Sequence, residues 1–286
     1  MRGFIIGLSV TVSLLVPVYF VAAGLGSKFG LWPWQFGLGT MVAQWGLWVC
    51  VAAAGLAVIA LGFALFAPGT GGRVGPVVLT LVALLIPALA VGRLAGFRTT
   101  VGELPPIHDT QTDWTAPIAF SDALMALRGP DANPVLADPT VPEAAAGRWP
   151  LAAGKRVAAI QEERYADIRP ILVQAPVDVA IAAVELALDQ AGGTLLLTPP
   201  APAPGGEARE ASFTSFWFGF TDDVHVRVLP QGEGARIDIR SVSRVGLSDI
   251  GANAVRVKTL ARNIQQQLRA AGEEPELAPP AAPAAQ

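Results

Sequence analysis

The chain has 286 residues, enough for one or two domains, and its charge is spread unevenly. Residues 1–98 hold no Asp or Glu and only Arg2, Lys28, Arg73, Arg93 and Arg98 as bases, so the remainder carries all 23 acids against 15 bases, a net charge of −8. That balance speaks against nucleic acid as a partner, because phosphate binding needs clustered positive charge, and the lone cysteine, Cys50, excludes an intramolecular disulfide.

Residues 4–23 form an apolar run long enough to cross a hydrocarbon core of ~30 Å at ~1.5 Å per residue. Arg2 before it and Ala22-Ala23-Gly24 at its end have signal-peptide character, but two further apolar runs favour a first helix that is retained. Lys28, Trp32, Pro33 and Trp34 then suit a membrane–water boundary. A second span is expected over 41–66 and a third over 74–94, separated by a Pro/Gly turn at 67–73; Pro87 is a kink candidate. Gly55 and Gly62 in the second span favour close helix packing. No ionisable residue lies deep in a span, which argues against ion coupling. Residues 1–98 therefore read as an anchor in the lipid bilayer, with a site shared between subunits of a homo-oligomer as the alternative. Basic flanks do not decide the orientation; the Met-Arg start resembles a signal anchor, which with three spans puts the large domain on the non-cytoplasmic side of a cell (inner) membrane.

Residues 99–120 read as an extended linker with Pro105, Pro106 and Pro117. His108, Asp109 and Asp113 there are too few and too oxygen-rich for a structural zinc site, and a polar segment docked on the domain is expected instead. Residues 121–150 read as an irregular, docked Pro/Ala/Asp-rich loop. A helix over 151–164, a strand over 168–173 and a helix over 176–190 follow, the last with Val177, Ala180, Ile181, Val184 and Leu188 at helical spacing and Gly192-Gly193 as its stop. A short strand over 194–198, a Pro/Gly loop over 199–209 and a long aromatic strand over 211–220 come next.

The most informative stretch is 217–253. Val224, Val226 and Val228 alternate with His225 and Arg227; after Gly232 and Gly234, Ile237 and Ile239 alternate with Arg236, Asp238 and Arg240. If both apolar sets face one core, cross-strand pairing puts His225, Arg227, Arg236, Asp238 and Arg240 together on the second face, with Asp223 at its end. A helix then starts near Asp249, capped by Ser248 or Asp249, with Ile250, Ala254, Val257, Ala261, Ile264 and Leu268 as its stripe. Residues 273–286 read as a disordered Ala/Pro tail.

This stretch, with Asp222-Asp223-Val224 leading to Arg227 and then Arg240-Ser241, Ser243-Arg244-Val245-Gly246, Ser248-Asp249, Gly251 and Asn253, resembles the signature of the DUF1499 family, a domain of unknown function. Ile107 to Asp113 and Tyr165 to Pro170 resemble two shorter blocks of its membrane-attached members, although Ala166 stands where the family commonly has proline. The resemblance covers residues 104–270 and implies a fold without an activity. Together these readings predict an α+β chain: a membrane domain (1–98), a linker (99–120), a domain of this type (121–272) with a mostly antiparallel sheet and helices packed on one face, and a tail.

The polar cluster supplies the candidate ligand-binding residues Asp222, Asp223, Arg240, Ser241, Ser243, Arg244, Ser248, Asp249 and Asn253. Arg240 and Arg244 have the planar forks that grip phosphate or carboxylate, and the N-terminus of the last helix would add free N–H groups. The alternative is a structural lock in which Asp222 or Asp223 neutralises Arg240 or Arg244. A Ser–His–Asp set using Ser241 or Ser243 with His225 can be drawn, but G-x-S-x-G, Walker, dinucleotide and zinc motifs are all missing, so neither catalysis nor a cofactor is expected. The function expected is binding of a partner protein or an amphipathic, anionic ligand at the membrane surface, with a structural assembly subunit second and a hydrolase-like enzyme third.

Overall fold

The computed structural model describes residues 1–68, 72–196 and 198–279. The chain divides into two compact units: Met1–Val101 with Ser215–Gly219, and the remainder from Gly102.

The first unit contains three helices long and apolar enough to cross a membrane. They are α1 (Arg2–Lys28), α2 (Gly46–Phe66), which continues a π-helical lead-in over Gln35–Trp45, and α3 (Val74–Glu103). α1 runs past the expected 4–23 at both ends, the second span starts earlier than 41 through its π-helical lead-in but ends at 66 as expected, and α3 starts at 74 as expected but runs on to Glu103; the turn expected at 67–73 lies partly outside the described residues. The packing stripe of α2 is Cys50, Ala53, Ala57, Ala60 and Ala64, all buried at alternating steps of three and four. Small side chains at that spacing let two helix backbones approach closely. Gly55 and Gly62, expected at the interface, instead face open space. Pro87 lies inside α3, buried.

In the second unit, seven strands form one antiparallel sheet. They are β1 (Asp109–Gln111), β2 (Ile171–Val173), β3 (Thr194–Leu195), β4 (Glu207–Thr214), β5 (Thr221–Gln231), β6 (Gly234–Ser243) and β7 (Glu276–Leu277). The order is β3-β4-β5-β6-β2-β7, with β1 also paired to β6. The hairpin register pairs His225 with Arg240, Arg227 with Asp238 and Val226 with Ile239, so side-chain parity separates an apolar face from a charged one. The hairpin turns at Gly232, where φ is +61°, and Gly234 opens β6 where an added Cβ would overlap the Val173 carbonyl.

The apolar face meets two helices, α6 (Val177–Gln190) and α7 (Ala252–Ala270), which bury Val184, Leu188, Val257, Leu260, Ile264 and Leu268 against Val224, Val226, Val228, Ile237 and Ile239. Ile250 falls outside α7, at φ +56°, and Leu260 rather than Ala261 takes the fully buried position.

The charged face is covered too. Residues 121–150, read as irregular loop, contain α4 (Asp122–Arg128), which inserts Leu124 beside Phe120 and Val242. α5 (Val157–Arg164) backs this covering with Val157 and Ile160. Two further expectations are corrected. Residues 99–120 are helical to Glu103 and then supply β1, because Asp109 to Gln111 satisfy the free edge of β6 beyond β2. The tail is ordered at Glu276–Leu277, which pairs with β2; residues 280–286 lie outside those described, as does Leu197 of the strand expected over 194–198.

The long aromatic strand ends early, at Thr214. Phe213 points into the core, and Ser215–Gly219 form a tip that belongs to the helical unit, with Gly219 at φ +71°.

Candidate functional site

The charged face is a layer of buried ion pairs. At its centre the Arg240 guanidinium, 1% exposed, meets Asp109 of β1 in a forked pair at 3.0 and 2.5 Å. It also donates to the carbonyls of Ile118 and Leu136 and lies over the Trp114 ring. The pair exists because β1 places Gln111 opposite Arg240 and Asp109 two residues further along the same face. Beside it, the fully buried Asp223 accepts from Arg128 at 2.7 Å, from Ser212 at 2.6 Å, and from Arg244 at 2.8 Å to each oxygen. Burial pulls the Arg128 guanidinium down against the opposing pull of Asp223. Towards the other end, Asp238 accepts from Arg227, Arg236 and Thr112, and Arg236 reaches Asp113 at 2.5 Å. Burial raises the Asp113 carboxyl, but hydrogen bonds from Thr115 and Arg236 outweigh it and hold it below the ordinary range.

A fourth group on this face joins Glu210, His225 and Ser121. The Ser121 hydroxyl and amide donate to the two Glu210 oxygens at 2.6 and 2.8 Å, and His225 Nδ1–H donates at 2.9 Å. These bonds overcome burial and keep Glu210 ionised below its ordinary range. Ser121 Oγ also caps α4 by accepting from the Leu124 amide. Phe120 stacks on the His225 ring.

The remaining candidates lie on the other side of the sheet. Ser241 and Ser243 face α7, where Asn253 accepts from Ser241 at 2.5 Å and donates to Ser243 at 2.9 Å and to the His108 carbonyl at 2.9 Å. Asp222 pairs with Arg256 of α7 at 2.8 Å. The N-cap of α7 is Gly251, not Ser248 or Asp249, but the Asp249 carboxylate accepts from the amides of Gly251 and Asn253 at 2.8 and 2.7 Å at the start of that helix. Burial, the largest influence, pushes this carboxyl up to about 6 even though those bonds oppose it. Ser248 instead donates to the Pro105 carbonyl and accepts from the Ile250 amide.

The cluster drawn from sequence is therefore two networks divided by the sheet. Arg240 and Arg244 lie on the face away from α7, so they do not converge with its N-terminus on a common anion. Of the pairings weighed, Asp223 with Arg244 is present; Arg240 takes Asp109 and Asp222 takes Arg256. His225 bonds Glu210 while Ser241 and Ser243 bond Asn253, so the drawn Ser–His–Asp set is not assembled. Among the described residues, His108, Asp109 and Asp113 are not gathered: His108 faces the Leu247 carbonyl and the two aspartates pair with different arginines, and no group of three or more His, Cys, Asp or Glu is placed to hold a metal.

Sequence reasoning missed Arg128, Glu210, Arg256 and Gln161. Gln161 bridges the Gln111 backbone and Trp114 Nε1. Arg128 carried a signal: Ser121 followed by Asp122 and the apolar run 123–127 is a helix start, and Arg128 closes it. Glu210 carried one as well, since β4 parity sets it beside His225.

A family model described as "Protein of unknown function (DUF1499)" matches residues 109–264. No curated protein and no solved structure matches the chain.

Proposed function

Because the chain belongs to the DUF1499 family, to which no activity is attached, we propose from its own geometry that it is an integral membrane protein whose DUF1499 domain binds an amphipathic, anionic ligand or a partner protein at the membrane surface. One observation carries this reading. The tip Ser215–Gly219, between β4 and β5, joins the helical unit, where Lys28 lies over the Phe216 ring at 5.0 Å and Trp217 lies against Gly24. Phe216 and Trp217 remain 67% and 48% exposed. Trp32, stacked edge-on with Phe36, belongs to the same neighbourhood of α1 and its following turn. Exposed aromatics beside lysine at the end of an apolar helix suit the headgroup layer of a bilayer. That segment, between β4 and β5, would meet lipid headgroups and membrane proteins before it meets solutes. With α1 entering from the cytoplasm, three spans would place the domain on the non-cytoplasmic side of a cell inner membrane.

A second reading, an assembly subunit, draws on α2. Gly55 and Gly62 lie one heptad apart on a face that meets nothing within 4 Å, which suits a partner helix from another chain. Native mass spectrometry of the detergent-purified full-length protein separates the two. Binding predicts a discrete adduct of small-molecule or lipid mass; a bare mass, or one raised by another polypeptide, would move the weight to assembly.

A further inference from the structure

Most arginines of the domain are neutralised by carboxylates, but two on one groove are not. The groove, about 380 Å³, runs between α7 and the β2–β7 edge of the sheet. Val257, Ala261 and Leu277 give it an apolar lining, and Arg169, Lys258 and Arg262 supply positive charge. Arg169 Nε is closed to solvent and bonds to nothing among the described residues. Among the described residues, Arg262 reaches only the Lys258 carbonyl and the Thr259 hydroxyl of its own helix. The one carboxylate on the groove, Asp167, is 62% exposed and takes Lys258 at 2.7 Å, a pair that water screens strongly. Three cations against one anion make this a positive groove on a domain whose sequence is acidic overall.

A half-buried guanidinium with no carboxylate beside it is poorly compensated until an anion reaches its accessible N–H groups. Arginine answers that need best with a phosphate or carboxylate, which can accept two parallel N–H bonds. The neighbouring apolar lining suits a hydrocarbon portion attached to such a head, and the groove lies near the lower end of the ~300–1,000 Å³ common for small-molecule sites. We propose that this groove binds an amphipathic oxyanion, with Arg169 and Arg262 holding the phosphate or carboxylate and the Val257–Ala261–Leu277 surface holding the apolar part. The proposal rests on the reading of the domain as a binding module and moves its ligand from the sequence-derived cluster, whose charges are already paired, to a groove whose charges are not.

The test uses the full-length protein in detergent. It is titrated calorimetrically with short-chain dihexanoylphosphatidic acid, with dihexanoylphosphatidylcholine of the same tails but no net charge, and with inorganic phosphate. Saturable binding of phosphatidic acid over phosphatidylcholine is expected, weakened about tenfold or more in Arg169→Gln and in Arg262→Gln and unchanged in Arg269→Gln. Equal dependence for inorganic phosphate would support the site with a soluble source of the anion; phosphatidic acid alone would support it with a lipid source. Neither arginine holds an ion partner in the fold, so melting temperatures should be unchanged and loss of binding cannot be ascribed to unfolding. Binding indifferent to both substitutions, or no saturable binding of either anion, overturns the groove. In that case a native-mass adduct that survives both substitutions leaves the broader binding reading standing, and its absence removes both.

Discussion

At their centres the two faces of the sheet are equally closed to water, yet they are filled by opposite chemistry. Ile237 and Ile239 are 0% exposed on one; Asp238 and Arg240 are 0% and 1% exposed on the other. The apolar face gains free energy from each buried methylene and tolerates adjustment of its neighbours. On the charged face, desolvating the ions roughly cancels their attraction, so little net stability follows from the pairs themselves. What those pairs supply is mutual dependence. Each charge is acceptable only while its partner is in place, and the partners come from β1, α4 and the hairpin. Burial alone therefore says nothing about how a surface contributes; the same degree of closure is cohesive on one side and conditional on the other.

The sharpest break of this comparison is Asp109→Ala, which leaves the Arg240 charge buried with only carbonyls and a ring. A loss of about 3–5 kcal/mol is expected, read as a melting shift of the detergent-purified protein. Leu260→Ala, on the apolar face, should cost about 2–5 kcal/mol through its cavity. The faces separate in the double variant Asp109→Leu, Arg240→Met, which should recover most of the single-variant loss; an additive, larger loss would show that the ion pair is itself a net source of stability.

Next in size is a pH effect. Glu210 and Asp113 have lowered carboxyls, so their contribution is complete above the unfolded values and is lost as pH falls through the lowered ones. Asp249 runs the other way. Its contribution is complete below the ordinary value of 3.8 and is lost as pH rises through about 6, at most about 3 kcal/mol. Asp249→Asn should flatten the decline between those two values, and a decline that persists unaltered would assign it elsewhere. Arg244→Ala should cost only about 1–2 kcal/mol, since Asp223 keeps Arg128 and Ser212. Arg156→Ala, which breaks a pair more than half exposed on both sides, should change melting by less than about 1 kcal/mol.

Strand parity was legible because alternation is a local property: Val224 to Val228 and Ile237 to Ile239 announce one face, and His225 to Arg240 the other. The partners of the charged face were not, because Asp109 meets Arg240 only through the register of a three-residue strand that propensity does not announce. α4 was hidden by the prolines around it, even though Ser121 marks its start. The aromatic run past Thr214 read as a continued strand because β-propensity registers bulky side chains and not where they go. The open groove along α7 escaped sequence reading for a related reason. Arg169 and Arg262 look like any solvated arginines until the absence of a carboxylate beside them is seen in three dimensions.

The position of β6 sets a timetable for synthesis. β1, β2 and β5 all hydrogen-bond to it, and Thr110 must wait for Ser241, 131 positions later. At roughly 5–20 residues per second, a chain of that separation takes on the order of ten seconds to emerge. During that interval Asp109 of β1 has no strand to pair with, whereas β5 finds β4 already made. Loop closure over such distances is slow in its own right. The apolar helices of the first unit thus emerge first, and the sheet of the second unit cannot be completed until its central strand arrives.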